Sequence, residues 1–167
     1  MNKDDVQDIV IPLLGEYLGV QPIESDQDSE PPTGIHIAFN FTVPYTKDVG
    51  SPDRTYEPDA DGLKMVQEED YKMVISLTSI APVETTGGHT AAKRESLSLA
   101  VRAADWFRFY GEIDLMLEGI AITGITDVVN RDSINEDEYR NGFDVTLRVR
   151  KRLEQNIDYF TSVEYQF

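Results

Sequence analysis

The chain has 167 residues, 40% of them apolar and 10% aromatic, with a formal net charge of −16. That length and composition suit one globular domain with a real core, not a disordered chain. A pI near 4.3 argues against wrapping nucleic acid, the lack of cysteine rules out disulfides and thiolate chemistry, and no run approaches the ~18 apolar residues of a membrane span.

The opening MNKDDVQDIV has no basic segment leading into an apolar one, so no secretory signal is expected. A protein made and used inside a cell, or packed into a particle assembled there, fits this composition. In residues 3–18, Val6, Ile9, Val10, Leu13, Leu14, Tyr17 and Leu18 recur at helical spacing. Asp4 and Asp5 suit the first turn and Gly19 the stop, while Pro12 predicts a kink or a split. ESDQDSEPP, residues 24–32, reads as an acidic linker. IHIAFNFTV follows with strict alternation, Ile35, Ile37, Phe39, Phe41 and Val43 against His36, Ala38, Asn40 and Thr42, which predicts a half-buried strand.

Residues 44–70 are proline-bearing, acidic and without usable period, and predict a long loop. DYKMVISLTSI, 70–80, is apolar on nearly both faces and predicts a central strand. Residues 90–110 predict a broad-faced helix ending at Gly111. EIDLMLEG is a short segment leading to a strand over 119–129, with Gly124 as a bulge. RDSINEDEYRNG is a polar connection, FDVTLRVRKRL a further strand, and 155–167 a C-terminal extended arm. The order predicts an α+β fold: a mostly antiparallel β-sheet with two main helices packed on one face.

Three candidate sites stand out. Glu57, Asp59, Asp61, Gly62 and Glu68 fall at positions 1, 3, 5, 6 and 12 of a calcium-binding loop, whose chemistry needs alternating oxygen ligands, a sharp glycine turn and a closing carboxylate. The opening Glu, Pro58 and Lys64 depart from that pattern, so an acidic turn is the simpler reading and no metal or cofactor is expected. The two histidines, His36 and His89, come with no nucleophile motif, and Gly87-Gly88 before a helix lacks a phosphate-binding lysine. No enzyme is expected.

The third candidate is a dense basic stripe in an acidic chain: Arg148, Arg150, Lys151 and Arg152. Phe143, Val145, Leu147 and Val149 take the core side of that strand, leaving Arg148, Arg150 and Arg152 on the other. Two readings stay open. The cations pair with Asp and Glu across their own sheet, or they meet acidic surface on another copy. Asp53, Glu57, Asp59, Asp61 and Glu68 supply such a surface, and opposite patches on one molecule favour a head-to-tail contact that closes into a ring. In the tail, aromatic residues on both sides, among them Tyr159, Phe160 and Tyr165, suit a strand that completes its own sheet or a neighbour's.

With its N-terminal amphipathic helix, DYKMVISLTSI and above all EYRNGFDVTLRVRKRLEQNIDYF with TSVEYQF, the chain resembles the phage neck or tail terminator proteins over roughly residues 3–165. The resemblance implies a single domain over residues 1–167 that assembles as a homo-hexameric ring, a structural virion component made in the host cytoplasm. Such a ring caps the tail tube and joins it to the head connector. Its partners would be its own copies, the tail-tube protein, the head connector or adaptor, and a sheath protein where the tail contracts. DNA would only pass through the lumen, where an acidic wall repels phosphate. A head-completion adaptor or tail-tube-like protein is the alternative within the same machinery, and a calcium-dependent binding domain the alternative outside it.

Overall fold

A computed structural model describes residues 1–25, 32–47, 52–59, 62–131 and 137–157, with the side chain of Asp59 outside this set. Helix α1, Lys3–Leu18, starts at Asn2, whose side chain accepts from the Asp5 amide while the Asp5 carboxylate accepts from the Asn2 amide. Gly19 ends it at φ 72°, a left-handed conformation that glycine adopts without steric cost. Pro12 neither splits nor stops the helix: α1 runs continuously through it.

After β1 (Ile23–Glu24) come β2 (His36–Lys47), β3 (Asp53–Asp59) and β4 (Gly62–Pro82). The short α2 (Val83–Thr86) leads to α3 (His89–Asp105), a π-helical turn over Trp106–Tyr110 and α4 (Glu112–Leu117). The wide turn is marked by the Gly111 amide donating to the Trp106 carbonyl at 2.7 Å, five residues back. Thus the helical segment expected over 90–110 and its end at Gly111 are present, with the last turn π-helical, and EIDLMLEG holds a helix of its own. Strands β5 (Ile120–Ile125), β6 (Val129–Asn130) and β7 (Glu138–Ile157) complete the described chain.

All seven strands among the described residues belong to one sheet, in the order β1-β2-β4-β7-β5, with β3 on β4 and β6 on β7. Every pairing is antiparallel except the short β1–β2 contact, so the fold is α+β with a mostly antiparallel sheet. The strands expected from the segments near 35, 70, 119 and 143 do share this sheet. The bulge expected at Gly124 is present as a register shift between Ile122 and Gly124.

One buried cluster joins Val6, Val10 and Leu14 of α1 and Leu99 and Ala103 of α3 to the inward positions of β2, β4 and β7. Register explains which strand positions those are: Phe39 stands opposite Leu77, and Leu77 opposite Phe143. A polar tie crosses the same layer, where buried Ser96 donates to the Ser79 carbonyl at 3.1 Å and accepts from Asn141 Nδ2 at 3.0 Å. Among the described residues no helix is long and apolar enough to cross a membrane.

Candidate interaction site

The largest departure from expectation concerns residues 44–70. Their described part is not a loop. β2 runs on to Lys47, and β3 pairs with the first part of β4, Asp53 opposite Glu68 through Asp59 opposite Gly62. Pro58 is tolerated because β3 is an edge strand that need not donate outward. β7 pairs with β4 without a break from Glu138 to Ile157, so Gln155–Ile157, expected in the terminal arm, belong to β7. No member of the core cluster lies in β3, in β4 before Met73, or in β7 after Val149. The eight residues after Val149, through Ile157, therefore carry a three-stranded arm through about 26 Å of strand past the core, at ~3.3 Å per residue.

One face of this arm is an ion-pair lattice. Arg150 Nε donates to Asp70 Oδ1 at 3.0 Å and its Nη1 lies 3.4 Å from Glu68. Arg152 reaches Glu154 at 2.8 Å, Glu57 at 3.2 Å and Glu68 at 3.6 Å. Lys64 holds the other side of Glu154 at 2.5 Å. Val66, only 1% exposed, lies on this face opposite Thr55 and Glu154. Two of the predicted stripe cations are thus joined to acidic residues of their own sheet. Arg148 is different. It is exposed, faces another cation, Lys72, across the ladder, and has no ion pair among the described residues.

Lys151 does not belong to the stripe's face at all. Alternation puts it on the opposite side, with its Nζ 5.9 Å from the centre of the Tyr45 ring. Tyr45 in turn stacks on Tyr71 at 4.0 Å. The Tyr71 hydroxyl donates to Glu69 at 2.8 Å, and Lys47 and Gln67 reach the other oxygen of that carboxylate. The Tyr71 hydrogen bond, with Lys47, holds Glu69 below the usual carboxylate range, and the same bond pushes Tyr71 up to about 12. Beyond this cluster the face turns apolar and open: Tyr56 is 59% and Leu153 44% exposed, with half-buried Met65 opposite Tyr56.

The calcium-loop spacing does not make a loop either. Glu57 and Glu68 lie on two paired strands, and the Arg152 guanidinium bridges them. Asp61 and the Asp59 side chain fall outside the described residues, as do Tyr159, Phe160 and Tyr165 of the tail. His36 is buried, with its Nδ1 2.8 Å from the Gly34 carbonyl, and His89 lies edge-on to Tyr139, so the two histidines have separate structural surroundings.

A second surface escaped the sequence reading. On α4, Ile113, Met116 and Leu117 are 62%, 63% and 77% exposed, while Leu115 on the other side is fully buried. Phe109 and Tyr110, just before the Gly111 bend, are exposed as well. The signal in the sequence was apolar residues on both sides of one short helix.

The chain matches the family model of the phage neck terminator protein over residues 3–167 and belongs to that family, as the sequence resemblance implied. It is a structural protein of the phage neck and a virion component, interacting there with other phage structural proteins. No curated protein matches it.

Proposed function

We propose that this neck terminator subunit forms a homo-hexameric ring that caps the tail tube and joins it to the head connector, with DNA passing through the lumen. The role is structural, not catalytic. The observation that carries the reading is the three-stranded arm. It is held by ladder hydrogen bonds and ion pairs, reaches past the core, and leaves apolar side chains uncovered on one face. An element built this way serves contacts between molecules.

The basic stripe contributes to those contacts through Arg148. Two like charges directly opposite each other, Arg148 and Lys72, weaken a sheet unless an acidic partner approaches. A carboxylate surface of a neighbouring copy or of the tail tube would satisfy both, while Arg150, Lys151 and Arg152 shape the arm itself. The tail with Tyr159, Phe160 and Tyr165 would extend the same contact. Light scattering tests the assembly: a mass near six times 18.9 kDa is expected, and a monomer at all concentrations refutes the ring. Arg148→Glu, which removes no ion pair among the described residues, should fold normally yet fail to restore tails in a terminator-deficient phage. Full restoration would remove Arg148 from the contact.

A further inference from the structure

Among the apolar surfaces that the described residues leave open, two differ in charge. The arm's apolar face, with Tyr56, Met65 and Leu153, is flanked by Arg54 and Lys151. Lys47 on that side is balanced by Glu69. The α4 face, with Ile113, Met116 and Leu117, carries Glu112, Asp114 and Glu118 on its own helix, all exposed and without an ion pair among the described residues, while at its β-sheet edge Met116 lines a cavity with Arg148, Arg150 and Asp70. We propose that these surfaces are partners: the arm of one copy seats its apolar face on α4 of the next copy. This rests on the ring reading above and names the contact that builds the ring.

The alternatives are disfavoured by charge and reach. An α4-on-α4 contact would press three carboxylates against three more in a chain of net charge −16. An arm-on-arm contact would bring Arg54 and Lys151 against their own copies. Arm on α4 sets apolar against apolar and cation against carboxylate, a heterologous contact of the kind that propagates around a ring. Nor can the described arm cover α4 of its own chain. Ile120, three residues after α4, is paired with Val149 at the arm's base, and Leu153 lies four residues, about 13 Å, farther out. There Leu153 is fixed in the ladder opposite Gln67, so folding back would break the arm's pairing with β4.

The chain has no cysteine, so Leu153→Cys with Met116→Cys gives a clean cross-linking test. Both native side chains are exposed, and the doubly substituted protein should fold. On oxidation it is expected to give a covalent ladder of copies up to the full ring on a non-reducing gel, whereas each single variant gives none. Met116→Asp should lower the ring fraction at least tenfold at a concentration where the wild type is fully assembled. The inference is overturned if the wild type has ring mass but the double variant gives no ladder, or if Met116→Asp assembles as well as the wild type. Dimers from Met116→Cys alone would replace it with an α4-to-α4 contact, and loss of both thiols at monomer mass would place the arm on its own chain. A monomeric wild type overturns the ring reading itself, and this contact with it.

Discussion

Asp70 and Arg150 stand directly opposite each other on β4 and β7, 80 residues apart in sequence, with Arg150 Nε donating to Asp70 Oδ1 at 3.0 Å. Together with Arg152 and Glu68, this pair joins the arm's strands where no core lies beneath them. Reversing Arg150 and Arg152 to Glu would set carboxylates against Asp70, Glu68 and Glu57. Amide exchange over 62–70 and 150–157 should accelerate, while Val145 and Leu147, buried in the core, keep their protection. High salt should loosen the wild-type arm in the same direction. Unchanged protection in the arm would mean that the ladder alone holds it.

The arm should be bounded in pH on both sides. Tyr71 and Lys47 lower the pKa of Glu69, and Lys64 and Arg152 lower that of Glu154. A lowered carboxylate gives stability that is present above the ordinary range and lost as pH falls through its folded value. Tyr71, raised to about 12 by its bond to Glu69, works in the opposite sense. Its contribution is complete below the ordinary value of ~10 and lost as pH rises through about 12. Absorbance at 295 nm should show a late tyrosine titration that Tyr71→Phe removes. A variant with an unaltered titration curve would contradict the assignment.

Ser96→Ala should cost about 1–3 kcal/mol, because it leaves both the Asn141 amide and the Ser79 carbonyl without this buried partner. Thermal unfolding should shift down by several degrees, at roughly 2–4 °C per kcal/mol for a chain of this size. No shift would mean that water replaces the hydroxyl.

Gly111 is required by a close approach, since a Cβ there would enter the ring of Trp106. Gly111→Ala should destabilise by about 1–3 kcal/mol through overpacking and displace α4. The chain has a single tryptophan, so its fluorescence reports the change directly. A wild-type emission spectrum and unchanged stability would show that the junction can relax.

Much of the body was legible in the sequence because its signals are local. The stripe over 3–18 marked α1, and alternation in FDVTLRV assigned Val145, Leu147 and Val149 to the core. The glycine at 124 marked a bulge, and diffuse patterns along the chain pointed to the family that the whole-chain match establishes. Tertiary structure alone decided the arm. Residues 53–70 carry no apolar alternation, because one face is an ion-pair lattice and the other mixes polar groups with open apolar side chains, so nothing local distinguishes strand from loop. The strand state of β3 comes from pairing with β4 and that of early β4 from pairing with β7 as well, and the acids opposite Arg150 and Arg152 lie 80 to 95 residues away. The same holds for α4: Leu115 and Leu117 are the same residue type two positions apart, and only packing buries the first while leaving the second 77% exposed.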